Sequence, residues 1–327
     1  MKELIENFTD QLNEAFQIAD QQELTALPGP IENIVICGLG GSGIGAKIIQ
    51  DWVRQEIKVP ITLVNGYSLP GFVSSKTLVI GSSYSGNTEE TVMALQEAKE
   101  KNAHIYCVSS GGQLHAFCLE HSLEITLIPP GLPPRGALGY SMVQLLHYLT
   151  QQGFISAQRM LELKATSSFL SSQKEEIKEN AKALAAFLFS KVGVLYSEDA
   201  FEGVVIRARQ QLNENSKYLA LHHVIPEMNH NELVGWAGGD HRFAPVFFLS
   251  EDLHPRNKKR FEITKETVEA RTGRVYTINA LGSSFTQRYM YFIHLVDWAS
   301  FYLSELNNVD IMDIKVINYL KKELSNG

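Results

Sequence analysis

The sequence predicts two doubly wound α/β domains in tandem, each built on a parallel sheet, with a helical connector between them. Three observations lead to this fold class. Short apolar runs alternate with helix-length segments in the first half, these runs show little polar alternation, and the same order resumes after residue 190. Runs that are apolar on both faces are typical of parallel strands covered by helices. Strand–helix alternation implies right-handed crossovers.

The N-terminal domain is predicted over residues 1–153. Its strand-like runs are NIVICGL (33–39), ITLVNG (61–66), TLVIGSS (77–83), HIYCVSS (104–110) and EITLIP (124–129). The segment GYSMVQLLHYLTQQG reads as the helix that closes this domain, because it ends at Gly153.

Residues 154–190 are the predicted connector, since they are polar and helical and show no strand signal. Strand-like runs return at 191–197, 243–250 and 273–280, separated by the helical stretches 200–218, 253–272 and 284–306. This alternation predicts a C-terminal domain over 191–327, which finishes in a C-terminal helix.

Composition narrows the function classes. The net charge is −7 and there is no basic stripe, which argues against a nucleic-acid partner. No apolar run approaches the roughly 18 residues of a membrane span. The N-terminus is acidic and amphipathic and shows no signal-peptide core, so we expect a cytoplasmic protein.

The sequence predicts neither a metal site nor another cofactor. The three cysteines, Cys37, Cys107 and Cys118, are odd in number and lack paired metal-ligand spacing. We interpret them as reduced core residues. The adjacent His222 and His223 have no obvious third ligand, so a structural role is expected for them.

Residues 38–45, the glycine loop, follow the first strand. Gly38, Gly40 and Gly43 satisfy G-x-G-x-x-G, which raises the possibility of a dinucleotide fold. That fold needs an acidic residue at the end of the next strand, where this chain has Asn65. A phosphate P-loop also fails, because Ile48 rather than Ser or Thr follows Lys47. A tight turn for close strand–helix packing stays open as the alternative.

Residues 83–88, the hydroxyl loop, lie within SSYSGNTEET. A capping box between Asn87 and Glu90 would explain one polar side chain and leave Ser83, Ser85 and Thr88 without a role. Hydroxyls beside free amides at a helix N-terminus supply the convergent donors that a phosphate monoester needs. The hydroxyl loop is therefore a candidate phosphate site. The two loops together resemble the sugar isomerase (SIS) domain.

Three further segments carry candidate residues. PPGLPPRGALGYSM presents Arg135 after a rigid, proline-rich turn. RARQQLNENSK places Glu214 on one helix side with Arg207 and Gln211, a pattern that a solvated face would also give. IPEMNHNELVGW puts His230 at a predicted helix start, with a capping box between Asn229 and Glu232.

With GLGGSG and SSYSGNT, the motifs GLPPRGALG, LNEN and PEMNHNE resemble the bifunctional phosphoglucose/phosphomannose isomerase family over nearly the whole chain. The resemblance implies that Arg135 lies near the reacting carbons, that Glu214 moves the proton, and that His230 opens the sugar ring. It also implies a homodimer in which His230 comes from the other subunit. Lys321, followed directly by Lys322, resembles a C-terminal active-site lysine. The implied substrate-holding residues are Gly41, Ser42, Ser83, Ser85 and Thr88.

The implied function is metal-independent interconversion of glucose 6-phosphate, and of mannose 6-phosphate, with fructose 6-phosphate. Some members carry threonine seven residues before the lysine, whereas this chain has Ile314, which cannot hydrogen-bond the sugar. The epimer preference therefore stays open. The alternatives are a sugar-phosphate sensor, an amino-sugar synthase and a dinucleotide-dependent oxidoreductase. Each alternative needs a feature that this sequence does not show. The synthase would need a glutaminase cysteine before Cys37, and the sensor would need a helix-turn-helix module. The oxidoreductase would need an acidic residue in place of Asn65.

Overall fold

The computed structural model describes residues 1–324, which divide into two compact units. The N-terminal unit comprises Glu6–Ser172, and the C-terminal unit comprises Met1–Ile5 together with the chain from Gln173 onward. Each unit contains its own parallel sheet. The predicted fold class is confirmed.

The sheet of the N-terminal unit has five parallel strands in the order β2-β1-β3-β4-β5. The strands are β1 (Asn33–Cys37), β2 (Ile61–Val64), β3 (Thr77–Ser82), β4 (His104–Ser109) and β5 (Glu124–Leu127). Strand β3 is buried along its whole length, as its unbroken apolar run predicts. Its register places Ile80 opposite both Ile36 and Tyr106, so the carboxyl ends of these strands meet at one edge.

Helices precede, connect and follow the strands of this unit. They are α1 (Lys2–Glu6), which spans the division between the units, and α2 (Phe8–Asp20), α3 (Gly40–Val53), α4 (Glu89–Glu100), α5 (Gly112–Glu120), α6 (Leu138–Gln151) and α7 (Gln158–Ser172). In a parallel sheet, the loops that follow the strands leave at the same edge. That edge carries the glycine loop after β1, the hydroxyl loop after β3, and residues 129–136, the proline turn, after β5.

The C-terminal unit has four parallel strands in the order β7-β6-β8-β9. They are β6 (Val192–Glu198), β7 (Ala220–Ile225), β8 (Phe243–Leu249) and β9 (Tyr276–Asn279). Strand β7 was absent from the sequence prediction. It is an edge strand on which Leu221 is exposed and two partly exposed histidines interrupt the apolar run, which conceals the usual strand signal.

The remaining helices belong to the C-terminal unit. They are α8 (Lys174–Leu188), α9 (Glu202–Ser216), α10 (Glu232–Gly235), α11 (Pro255–Thr272), α12 (Phe285–Leu306) and α13 (Lys315–Leu324). Helix α12 is buried over most of its length, whereas α13 buries none of its residues. The two helices of the predicted connector, α7 and α8, fall in different units.

All three cysteines are free and buried in one apolar cluster of the N-terminal unit. Burial raises the pKa of the Cys37 thiol to about 12, which keeps it protonated and unreactive. The prediction of reduced core cysteines is confirmed. No helix within residues 1–324 combines the length and the apolar character that a membrane crossing requires.

Candidate active site

The hydroxyl loop connects β3 to α4 and brings two of the predicted side chains together. The Oγ of Ser83 and the Oγ1 of Thr88 lie 2.9 Å apart, and Ser83 is buried. Ser85 is exposed, and its Oγ accepts a hydrogen bond from the Asn87 N–H at 3.2 Å. Gly86 has a φ of +68°, and a Cβ there would lie 1.8 Å from the Gly111 carbonyl oxygen. Only glycine fits this turn.

The capping-box interpretation of the hydroxyl loop is wrong. Thr88 is the N-cap of α4 and makes no side-chain cap hydrogen bond. The Oδ1 of Asn87 accepts instead from the Gln113 N–H at 3.0 Å, which ties the loop to the start of α5. The first N–H groups of a helix have no intrahelical partner. Capping therefore does not account for the hydroxyls here.

The glycine loop packs tightly against the sheet, in agreement with the alternative interpretation of a tight turn for close strand–helix packing. The Asn65 amide donates to the Gly38 carbonyl oxygen at 2.6 Å. A Cβ at Gly43 would lie 2.6 Å from that same oxygen, and a Cβ at Gly38 would lie 2.7 Å from the Ser82 carbonyl oxygen. Asn65 thus holds the loop against the sheet at the point where a dinucleotide fold would carry its acidic residue.

Gly41 and Ser42 connect the glycine loop to the other two segments. A Cβ at Gly41 would lie 2.7 Å from the Pro134 carbonyl oxygen and 2.9 Å from the Arg135 nitrogen, so the glycine allows the proline turn to approach closely. The buried Ser42 Oγ accepts from the Tyr84 N–H at 2.8 Å. A hydroxyl that accepts still has its own proton to donate.

Arg135 lies on a 3₁₀ turn, Pro134–Gly136, and only 4% of its surface is exposed. Its burial distinguishes it from an ordinary surface charge. Arginines are mostly exposed in folded proteins, so a buried guanidinium beside the two loops is a notable feature of this edge. In the N-terminal unit, the structure thus brings the two loops and the Arg135 turn to one edge of the sheet.

Glu214 lies near the end of α9 and is partly exposed. Its neighbours on the same helix side are not solvated, so the solvated-face interpretation is wrong for them. Arg207 and Gln211 are buried and both donate to Asp297 on α12. The guanidinium makes two bonds, Nε to Oδ1 at 2.9 Å and Nη2 to Oδ2 at 2.7 Å, and the Gln211 amide donates to Oδ1 at 2.9 Å.

The next two residues, Asn215 and Ser216, extend these buried polar contacts between α9 and α12, the polar seam. The Asn215 amide donates to the Ser300 Oγ at 2.9 Å, and the Ser216 hydroxyl donates to the Ser300 carbonyl oxygen at 2.6 Å. Lys217 then ends the helix with a φ of +52°. These contacts fix the rotation and the end of α9, and therefore the direction in which Glu214 leaves the helix.

His230 is exposed and ends a 3₁₀ turn, Glu227–His230, rather than starting a helix. The predicted capping box is wrong, because Asn231 caps the short helix α10. The Asn229 amide instead donates to the Thr264 Oγ1 at 2.8 Å, which fastens the segment before His230 to α11.

Lys321 and Lys322 both lie on α13, exposed, and Ile314 directly precedes this helix. Within the C-terminal unit, Glu214, His230 and Lys321 thus lie on three separate elements. Residues 1–324 contain no cluster of three or more His, Cys, Asp or Glu side chains that could hold a metal ion.

Comparison with known proteins identifies domains in both halves. Residues 30–119 match the SIS domain model, and residues 177–324 match the bacterial phospho-glucose isomerase C-terminal SIS domain. A bifunctional phosphoglucose/phosphomannose isomerase of Caldicellulosiruptor bescii is 36% identical and covers 99% of both chains. The protein of that name from Aquifex aeolicus is 34% identical over 90% of this chain and 91% of its own.

The chain belongs to the bifunctional phosphoglucose/phosphomannose isomerase family. Among solved structures, the C-terminal domain of glucosamine-fructose-6-phosphate aminotransferase from Francisella tularensis has a TM-score of 0.77 at 15% identity. That alignment covers 94% of this chain and 96% of the other, and it shows a shared fold.

In this member of the phosphoglucose/phosphomannose isomerase family, the sequence did not predict three residues that hydrogen-bond the segments carrying Arg135 and His230. Tyr84 and Gln11 hydrogen-bond the proline turn. On β6, the Tyr196 hydroxyl donates to Glu232, two residues beyond His230, and accepts from the Trp236 Nε1–H at 2.9 Å. A tyrosine at the centre of a polar motif was the available signal for Tyr84, whereas Gln11 and Tyr196 carry no local signal.

Proposed function

We propose that this protein is an aldose–ketose isomerase that interconverts glucose 6-phosphate, and also mannose 6-phosphate, with fructose 6-phosphate. The identity of 36% over 99% of both chains with a protein named for these two activities is the observation that carries the proposal. The hydroxyl loop supports it, because it places three hydroxyl side chains at a strand–helix junction.

In this proposal, the hydroxyl loop and the glycine loop bind the phosphate. Ser83 and Thr88, whose oxygens are 2.9 Å apart, and Ser85 supply hydroxyl donors, with Gly41 and Ser42 beside them. Neutral donors suit a chain of net charge −7, since the anion must be held by local geometry. Binding at this end orients the sugar for chemistry at its far end.

Glu214 is proposed as the base that takes the proton from C2 and returns it at C1 through a cis-enediol. One carboxylate can serve both steps. As the C2–H bond breaks, its electron pair forms the C1=C2 bond and O1 gains a proton; as O2 then loses its proton and the C2 carbonyl forms, the C1=C2 pair accepts the proton at C1. Arg135 would stabilise the enediolate oxygen, whose charge develops near the transition state. Protonation of either face at C2 would connect both aldose epimers to the ketose.

His230 is proposed to open the pyranose by moving a proton between the ring oxygen and O1, a task that suits imidazole. Its exposure is compatible with supplying it to a second subunit, so we propose a homodimer with shared sites. Lys321, or Lys322 beside it, is proposed to complete the site. The domain limits of 1–153, 154–190 and 191–327, a cytoplasmic location and a role in glycolysis and gluconeogenesis also stay predictions.

The test is to incubate the purified protein with fructose 6-phosphate in EDTA and to measure both aldose phosphates over time. Formation of glucose 6-phosphate is expected, and the ratio of the two aldoses determines the epimer preference that Ile314 leaves open. Binding without turnover would instead favour the sugar-phosphate sensor.

Subunit sharing has its own test. Glu214→Gln and His230→Ala proteins are each expected to be inactive, and random exchange of their subunits would regenerate roughly one quarter of the sites if each site draws on both subunits of a twofold dimer. No recovery after exchange that has been verified by mass would contradict the shared site.

A further inference from the structure

The backbone segment that carries Arg135 is held at its beginning by Tyr84. The Tyr84 phenol donates to the Pro129 carbonyl oxygen at 2.7 Å and accepts from the Leu132 N–H at 2.9 Å. Burial raises the pKa of this phenol above its ordinary value, and the hydrogen bond from Leu132 lowers it by less. The hydroxyl therefore stays protonated and able to donate at neutral pH.

Gln11 on α2 holds the other end of the segment. Its Nε2 donates to the Gly136 carbonyl oxygen at 2.8 Å, and its Oε1 accepts from the Gly139 N–H at 2.8 Å. A Cβ at Gly139 would lie 2.7 Å from that Oε1, so the glycine makes room for the amide. Gln11 is 7% exposed, which means that these bonds form largely away from water.

Each of these side chains both donates to and accepts from the backbone. Such a pair of bonds fixes the direction of a segment as well as its distance, and its loss leaves buried backbone groups unpaired. Arg135 lies between the backbone groups bound by Tyr84 and those bound by Gln11, three residues after Leu132 and directly before Gly136. On a third side, Gly41 of the glycine loop approaches the Arg135 backbone.

The Tyr84 backbone belongs to the hydroxyl loop and also bonds to two other loops. Its N–H donates to the Ser42 Oγ at 2.8 Å, and its carbonyl oxygen accepts from the Ser110 N–H at 2.9 Å. One residue thus connects the proposed phosphate-binding loops to the turn that presents the arginine.

We propose that Tyr84 and Gln11 are positioning residues that hold the Arg135 turn in fixed register with the hydroxyl loop. The inference rests on the proposed function. In a six-carbon substrate, the phosphate and the reacting carbons lie at opposite ends, so the span between the loop and the guanidinium must be constant. A displacement of about 1 Å in a catalytic group can cost roughly 100-fold in rate.

The first test is the kinetics of Tyr84→Phe and Gln11→Met with fructose 6-phosphate. Both changes keep the side-chain volume and remove the hydroxyl or the amide. We expect kcat to fall by roughly 10- to 100-fold, while KM and competitive inhibition by glucitol 6-phosphate, which cannot isomerise, change little. Equal losses in kcat and in inhibitor affinity would overturn the proposal, since the phosphate loop itself would then be damaged.

Tyr106→Phe is the matched control. Tyr106 is fully buried in the same sheet, and its hydroxyl hydrogen-bonds the Thr126 Oγ1 at 2.6 Å rather than the backbone of the proline turn. It should lower thermal stability without changing kcat. If Tyr84→Phe and Gln11→Met reduce kcat no more than this control does, neither residue positions Arg135. Should one of the two variants fail to fold, the other decides.

A second measurement is independent of turnover. Phenylglyoxal modifies accessible arginines, and its rate at Arg135, followed by peptide mass spectrometry, should be slow in the wild type and several-fold faster in both variants. An unchanged rate would overturn the proposal. If the wild type has no isomerase activity, the proposed function fails, while this rate still determines whether the two side chains hold the turn.

Discussion

The two units have the same strand order around their first three strands, yet they differ at one corresponding loop. In the N-terminal unit, β1 is flanked by β2 and β3, and β3 leads through the hydroxyl loop into α4. In the C-terminal unit, β6 is flanked by β7 and β8, and β8 leads through residues 250–254 into α11. The first loop presents hydroxyls, whereas the second contains its own carboxylates.

Glu198, at the end of β6, occupies the start of α11. Its Oε1 accepts from the His254 N–H at 3.0 Å and from the Asn257 Nδ2 at 2.6 Å. A carboxylate at a helix N-terminus is favourable, because it pairs with the free N–H groups and the positive end of the helix dipole. The start of α11 thus already carries a carboxylate from the same unit.

Asp252 is the second carboxylate with hydrogen-bond partners at the loop of residues 250–254. It accepts two bonds of 2.6 Å from the Arg288 guanidinium and one of 2.6 Å from the Ser250 hydroxyl. The comparison teaches that one fold can leave this loop without a carboxylate in one copy and fill it with carboxylates in the next. We therefore expect one sugar phosphate per chain, bound at the N-terminal unit.

A second difference is at the sheet edge. The N-terminal unit adds α5 and β5 beyond β4, whereas the C-terminal unit passes from β9 directly into α12. A cavity of about 600 Å³ consequently opens between α11 and β9, lined by residues such as Phe261, Glu266 and Asn279.

The largest effect on ligand affinity should come from giving the hydroxyl loop a carboxylate like those of residues 250–254. Thr88→Asp places a carboxylate beside Ser83, where we propose that the phosphate binds. Juxtaposed like charges cost several kcal/mol, and about 3 kcal/mol corresponds to roughly 100-fold in affinity. Calorimetric titration with glucitol 6-phosphate should show that loss, while the wild type binds one equivalent per chain.

Thr88→Ser is the control for this change, since it keeps the hydroxyl and should bind within a few-fold of the wild type. Two equivalents bound per wild-type chain would contradict the comparison between the units. Unaltered affinity in Thr88→Asp would exclude the hydroxyl loop as the phosphate site.

The next effect concerns the buried seam of the C-terminal unit. Asp297→Ala removes the carboxylate that accepts from Arg207 and Gln211, and breaking a buried pair in this way costs about 3–5 kcal/mol. Urea unfolding followed by circular dichroism should show the loss. Glu179→Gln, at the exposed pair with Lys182, is the control and should leave the midpoint unchanged.

The same seam shows where prediction from sequence ends. The strands in unbroken apolar runs, the main helices and the loop positions could be predicted, because each depends on local composition. The spacing of Arg207 and Gln211 left a solvated face open as an alternative, because their partner Asp297 is 90 and 86 residues away. A side chain's burial depends on such distant partners, which one sequence does not reveal.

The predicted helix caps were wrong for a related reason. Asn87 has a suitable spacing from Glu90, but its side-chain oxygen bonds to Gln113, 26 residues further on. Gln11 similarly bonds to Gly136 across 125 residues. Motifs predicted which residues belong to the candidate site, whereas the residues that hold them in place required the structure.

A smaller effect on stability is expected at the start of α11, beside the loop of residues 250–254. Glu198→Gln keeps an acceptor for the His254 N–H but removes the charge at the start of α11, which should destabilise the C-terminal unit by about 1 kcal/mol. The midpoint of urea unfolding measures this change. Glu266→Gln, exposed in the middle of the same helix, is the control. A tenfold rise in KM for fructose 6-phosphate in Glu198→Gln would mean that this loop contributes to substrate binding after all.

The smallest effect is a change in acid sensitivity. Burial alone would raise the pKa of Asp252, but hydrogen bonds from Arg288 and Ser250 outweigh it and leave the pKa below its ordinary value. A carboxyl whose folded-state pKa is depressed stabilises the fold fully above its unfolded-state pKa of about 3.9, and this contribution declines as the pH falls through the lower folded-state value. The stability difference between wild type and Asp252→Asn, measured by urea unfolding at a series of pH values, should therefore be largest near neutrality and shrink below about pH 4. A difference that stays constant down to pH values where the wild type unfolds would mean that the Asp252 charge does not stabilise this loop.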